Sequence, residues 1–176
     1  LLHGGEKSKQ GEYLNRLLYA NVITALETYL SDAFINKVVP SNILMRKFVE
    51  NLPEFKKEKI PLADIYKALE SVEVKVNTFL SNMVWHNLSR VRPLYKDVLG
   101  VSFPENFDDI GSAISVRHDL VHRNGKTKEG DDIVITDEEI EKLISTVEAF
   151  VGHLDDQLEA VRHELNQEKL EDEEEF

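Results

Sequence analysis

From Gly11 to about Val38, Leu14, Leu18, Val22, Ala25, Leu26, Tyr29 and Ala33 return at steps of three and four, the period of a helix with one buried face. The spacing predicts a long first helix with that stripe in the core. Pro40 and Ser41 interrupt it, and Ser41 stands where an N-cap serine would open a shorter helix that ends near Asn51, before Pro53. The basic loop Lys56, Lys57, Lys59 follows. Pro61 suits a first helical turn, and Ile65, Leu69, Val72, Val76, Phe79 and Met83 predict a second long helix to about Ser89. Arg92-Pro93 breaks or kinks the chain, and residues 94–99 add a turn or two before Gly100.

Ser102 and Glu105 stand at capping-box spacing and predict the start of a helix carrying Phe107, Ile110, Ile114 and Val121. Asn124-Gly125 is a left-handed stop signal for it. Thr127 to Ile135 holds Gly130 and the β-branched run Ile133-Val134-Ile135, which reads as a loop with a short extended piece. Thr136 and Glu139 repeat the capping-box spacing. The stripe Ile140, Ile144, Val147, Val151, Leu154, Leu158, Val161, Leu165 then predicts the strongest helix of the chain, and the acids Glu171 to Glu175 repel one another at its end. Long helices with short connections predict an all-α, roughly up-and-down bundle with antiparallel neighbours and a short extended loop before the last helix. The expected organisation is a flexible start over 1–10, one helical domain over 11–166 and an acidic disordered tail over 167–176.

Composition narrows the class. With 176 residues, 41% hydrophobic and 31% charged, the chain can bury a real core. The absence of cysteine removes disulfides, thiol catalysis and cysteine-ligated metals. No apolar run has membrane-spanning length, and residues 1–11 lack a signal-peptide core, so a cytoplasmic protein is expected. The net charge of −12 would disfavour a nucleic-acid partner if it were spread evenly. It is not: residues 1–128 hold 18 Lys/Arg against 15 Asp/Glu, whereas residues 129–176 hold 3 against 18. A mildly basic body leaves room for a local phosphate-binding surface.

The candidate chemistry lies in Ser115-Val-Arg-His-Asp-Leu-Val-His-Arg-Asn-Gly125. At about 100° per residue, Arg117 falls between Ile110, Ile114 and Val121 on the apolar side of its helix. A guanidinium there calls for an anion, either a structural carboxylate such as Asp119 or one on a neighbouring helix, or a bound ligand. His122 lies in the last turn, at the negative end of the helix dipole, and imidazole is the side chain that holds or delivers a proton near neutral pH. As a plain helix-end residue it would need no further role. Arg117 and His122 diverge by about 140° and sit roughly 7.5 Å apart along an ideal helix, so one chain is poorly placed to clamp one phosphate with both. His118 and His122 share a face and could form half of a metal site, but no third ligand or HExxH glutamate accompanies them. No P-loop, GxSxG or dinucleotide fingerprint occurs. Trp85-His86 on the second long helix reads as a core edge.

Arg117-His118-Asp-Leu-Val-His122 resembles the R-x4-6-H signature of the HEPN superfamily, with His118 at the polar position after the arginine. The following Asn124-Gly125, the acidic-Gly loop and the last long helix resemble those of HEPN proteins in prokaryotic defence and toxin systems. The likeness is sharpest over residues 105–160. It implies a HEPN-like helical bundle and a metal-independent endoribonuclease with no cofactor. It further implies a homodimer whose two motif helices form one composite site, with Arg117 and His122 catalytic and His118 and Asp119 supporting them. RNA would then be the partner, with Arg123, Asn124, Lys126 and Lys128 beside the motif and Arg90, Arg92 and Lys96 on the preceding segment as its phosphate track. An antitoxin or regulatory protein would fit such a role. Two rival readings stand: a non-catalytic HEPN interaction or regulatory module, and a metalloenzyme at His118 and His122.

Overall fold

A computed structural model describes residues 3–174, with the side chains of residues 10–163. The chain is all-α: α1 (His3–Val38), α2 (Asn42–Asn51), α3 (Pro53–Lys56), α4 (Ile65–Ser81), α5 (Leu88–Leu94), α6 (Asp108–His122) and α7 (Asp137–Glu174). A 3-10 turn, Leu62–Asp64, precedes α4, and a π-helical turn, Tyr95–Leu99, follows α5. Among the described residues the only β-type pairing is an isolated bridge between Lys126 and Asp132. No described helix is long and apolar enough to cross a membrane. The ends expected to be flexible, 1–10 and 167–176, lie at the margin of the described residues: α1 and α7 run into them, but their side chains are almost wholly outside the description.

The contacts divide the chain into two compact units, residues 1–27 with 103–155 and residues 28–102 with 156–176. In the first, Tyr19 and Ile23 of α1 pack with Ala113 of α6, with Ile135, and with Ile140 and Leu143 of α7, joined by the partly buried Val22, Ile114, Val116, Leu120, Ile133 and Val147. Phe103 adds edge-on contacts to Phe107 and Phe150, with ring centroids 5.9 and 5.1 Å away. In the second, Phe34 of α1 is wholly buried among Phe48, Trp85 and Tyr95. Phe48, Phe55 and Phe79 form a triangle of edge-on rings. The Tyr95 hydroxyl donates to the Leu30 carbonyl at 2.7 Å, which satisfies a polar group inside this core.

Several predicted stripes are shifted. The buried side of α1 is Tyr19, Ile23, Leu26, Leu30, Phe34 and Val38, whereas Leu14 and Leu18 are about half exposed at 53% and 44%. The first half of α1 carries apolar residues on more than one face, so periodicity alone permits either register. The predicted long second helix stops at Ser81, where the Trp85 indole donates to the Leu80 carbonyl at 3.2 Å and holds the chain in a turn. Trp85 therefore sits in the turn between α4 and α5. Ser102 does not cap α6: its backbone N–H donates to Gln157 Oε1 and its carbonyl accepts from Gln157 Nε2, both at 2.8 Å. The helix opens at Asp108 instead, with Asp108 and Asp109 in the first turn facing the positive end of the dipole. Val121, expected inside, is 52% exposed, and Val116 and Leu120 take the inner positions. On α7, Ile144 of the predicted stripe is 40% exposed, while Leu143 and Phe150 are buried; Leu165 lies outside the described side chains.

Other signals act as read. Ser41 Oγ accepts from the Leu44 N–H and caps α2. Thr136 and Glu139 exchange hydrogen bonds, Glu139 N–H to Thr136 Oγ1 and Thr136 N–H to Glu139 Oε2, and fix the start of α7. Pro93 lies inside α5, and the widened π turn follows it directly.

Candidate functional site on the motif helix

Helix α6 ends by a left-handed exit. Asn124 and Gly125 have φ of 55° and 75°, and the Arg123 and Gly125 N–H groups both return to the Asp119 carbonyl, at 3.0 and 3.2 Å, so the left-handed turn closes on a carbonyl of the last helical turn. The Gly125 carbonyl then accepts the Ile133 N–H at 2.8 Å. Between these points Thr127 gathers residues 127–131 into a closed turn, its N–H donating to the Asp131 carbonyl and its hydroxyl accepting from the Glu129 and Asp131 N–H groups. This closed turn places Lys126 and Lys128 directly after the motif. Asn15 of α1 pins the other end of the loop, donating to the Ile135 carbonyl at 3.0 Å and to Asp137 Oδ1 at 2.7 Å.

Arg117 lies on the core side of α6, in line with Ile110, Ala113 and Leu120 at helical spacing. Its anion on the neighbouring helix is Glu27 of α1, 3.8 Å from Nη2, with each side chain about four-fifths buried (19% and 20% exposed). That distance is beyond a hydrogen bond, and Arg117 Nε is buried with no hydrogen-bond partner. The guanidinium is thus held by charge while its fork of donors stays open. Asp119, weighed above as a partner for Arg117, instead faces Arg123 at 3.3 Å.

His118 and His122 are exposed and stack on each other with ring centroids 4.7 Å apart. Arg117 points inward and the two imidazoles outward, so the divergence expected from helix geometry holds in the folded chain. Among the described residues no group of three or more His, Asp or Glu side chains is placed to hold a metal ion. Arg123 is about two-thirds buried, Asn124 and Lys128 are exposed, and Lys126 Nζ lies 3.4 Å from Asp132 Oδ1. Arg90, Arg92 and Lys96 belong to the other unit. Arg90 pairs with Glu54 at 2.6 Å and stands 5.3 Å over the Phe79 ring, while Arg92 and Lys96 are exposed.

Two residues at this site escaped the sequence reading. Glu27 and Arg16 sit on α1 beside the buried Tyr19, Ile23 and Leu26, at the spacing of a charged residue that borders the core. The signal was present, but it emerges only once the true stripe of α1 is known. Burial raises the Tyr19 phenol above its ordinary range, and Glu139 adds to this, so the hydroxyl stays neutral within the core.

Compared with curated proteins and with solved structures, the chain finds no match. The family model described as RiboL-PSP-HEPN matches residues 3–160, a span that includes the whole of α6, its exit loop and the Thr136 cap. With the arginine-histidine motif at the end of a helix in an all-α chain, this match establishes that the protein belongs to the RiboL-PSP-HEPN family of the HEPN superfamily.

Proposed function

We propose that the chain is a metal-independent endoribonuclease of the toxin or defence kind, acting in the cytoplasm as a homodimer that joins two motif helices. The observation that carries this reading is Arg117: a guanidinium held inside α6 at 3.8 Å from Glu27, with Nε unbonded, one turn before an exposed histidine. A purely structural arginine would close its donors on a carboxylate at charge-assisted hydrogen-bond distance, about 2.7–2.9 Å.

The chemistry needs little more. The RNA 2′-OH attacks the adjacent phosphorus, the P–O5′ bond breaks, and the products are a 2′,3′-cyclic phosphate and a 5′-OH. One proton leaves the 2′-oxygen and one reaches the 5′-oxygen. His122 carries such a proton, and Arg117 holds the non-bridging oxygens as charge gathers on the phosphorane. His118 orients His122 by stacking, and Asp119 holds Arg123 beside the strand. Because Arg117 and His122 of one chain diverge, the arginine of one protomer works with the histidine of its partner. Exposed apolar residues on both helices, Leu14, Leu17 and Leu18 on α1 and Val121 on α6, are consistent with a face that a second copy covers. Arg123, Asn124, Lys126 and Lys128 then continue the phosphate track.

One observation favours the rival reading of an interaction module. Leu62 in the 3-10 turn and Tyr66 and Leu69 in the first turns of α4 are 82%, 79% and 71% exposed, a patch suited to a protein partner such as an antitoxin. Incubation with mixed RNA in EDTA, beside His122→Ala, decides between them. Chelator-resistant cleavage that the variant loses supports the nuclease; no cleavage by any preparation supports the module.

A further inference from the structure

We infer that Arg16 of α1 binds a second phosphate of the same RNA strand, further along it than the one that is cleaved; the inference rests on the nuclease reading and extends it. Arg16 is partly buried, and its Nε is buried without a hydrogen-bond partner. Among the described residues no carboxylate lies within ion-pair reach of it. Its two neighbours at the meeting of α1 and α6 differ in this respect, since Arg117 has Glu27 and Arg123 has Asp119. A guanidinium with one donor cut off from water and no anion beside it has a planar fork free for phosphate oxygens.

The position of Arg16 specifies the ligand. Its guanidinium lies against Gly125, with Cζ 3.0 Å from the place a Cβ would occupy, so the side chain abuts the exit loop that carries Arg123, Asn124 and Lys126. Glu27 marks the depth of Arg117 along α1, and Arg16 is eleven residues earlier, about 16 Å along the axis. That is too far for Arg16 and Arg117 of one chain to share a phosphate. Arg16 is at the C-terminal exit of α6, beside the loop that carries the other cations. A strand held at Arg117 and followed toward the Gly125 loop reaches Arg16 with another phosphodiester.

The test measures binding of an uncleavable, fully 2′-O-methylated RNA dodecamer by fluorescence anisotropy over a salt series. It uses the full chain, Arg16→Gln and Arg16→Lys, with inorganic phosphate as competitor and a melting curve for each variant. The expected result is about tenfold weaker binding for Arg16→Gln, equivalent to ~1.4 kcal/mol. The slope of log affinity against log salt should fall by about 0.7, one phosphate contact on a single strand, and Arg16→Lys should restore that slope. On cleavable RNA the loss should fall on KM more than kcat and be greater for long strands than for a dinucleotide. An unchanged slope in Arg16→Gln overturns the inference. So does an equal loss in both variants with lowered melting temperatures, which would make Arg16 a prop for Gly125. Competition by millimolar inorganic phosphate that Arg16→Gln abolishes, with the strand's salt slope unaffected, assigns the residue to a free anion and overturns it too. If Arg16→Gln shifts the slope but no preparation cleaves RNA, the nuclease reading fails while the phosphate contact stands. A parent chain that does not bind the strand removes both.

Discussion

Substituting alanine at Gly125 probes the structure where the motif helix, its exit loop and Arg16 meet. Gly125 has φ of 75°, and an L-residue with a Cβ held there costs roughly 1–2 kcal/mol. The new methyl would also overlap the Arg16 guanidinium and drive that side chain off its rotamer, at about 0.5–1.5 kcal/mol. Alanine restricts the unfolded chain and returns about 0.4–1 kcal/mol. The net loss is about 0.5–3 kcal/mol, which for a chain of this size lowers Tm by roughly 1–12 °C. Thermal and urea unfolding followed by circular dichroism measure it. Combining Gly125→Ala with Arg16→Ala separates the two costs. The steric part disappears in the double variant, so the pair should couple by about 0.5–1.5 kcal/mol while the backbone part persists. Asn124→Gly, one residue earlier at φ 55°, serves as the control and should stay within about 0.5 kcal/mol of the parent because relief of the left-handed cost offsets its added unfolded-state freedom. A Gly125→Ala variant as stable as the parent, or strict additivity with Arg16→Ala, would refute the reasoning.

Thr136→Ala removes the hydroxyl half of the capping box at the start of α7 and should cost about 1 kcal/mol in urea melts, with Thr136→Ser retaining most of it. The raised pKa of Tyr19 links stability to alkaline pH. The unfolded phenol ionises around its ordinary value of 10.0 while the folded one resists, so this contribution is full below pH 10 and is lost as pH rises through the folded value. Tyr19→Phe should therefore flatten the fall of Tm above pH 10; an unaltered alkaline limb would show that Tyr19 does not contribute. Light scattering at working concentration should give twice the chain mass of 20.2 kDa, and a fully active monomer would exclude the composite site.

Helix identity was legible in the sequence wherever caps and breakers agreed with a single stripe. Ser41, the Thr136–Glu139 pair and Asn124-Gly125 each mark a boundary through local hydrogen bonds or a left-handed backbone, and these depend on few distant partners. Register was less legible. Leu14, Leu17 and Leu18 give α1 a second apolar face, so only the packing of Tyr19 and Ile23 against α6 and α7 selects the buried one. Ser102 shows a matching failure, because a capping-box spacing lost to Gln157, fifty-five residues away in sequence. At the site, Arg117 was legible as a charge on an apolar face. Its partner Glu27 and its neighbour Arg16 were not, since both depend on how α1 meets α6.

The central claim is tested most directly with a DNA oligonucleotide that carries one ribonucleotide, incubated with the protein in EDTA and resolved by mass. The expected result is a single cut 3′ to that ribonucleotide, a 2′,3′-cyclic phosphate on one fragment and a 5′-OH on the other, and loss of the cut in both Arg117→Ala and His122→Ala. Cleavage of an all-DNA strand, products ending in 3′-OH, or an undiminished cut by either variant would contradict it.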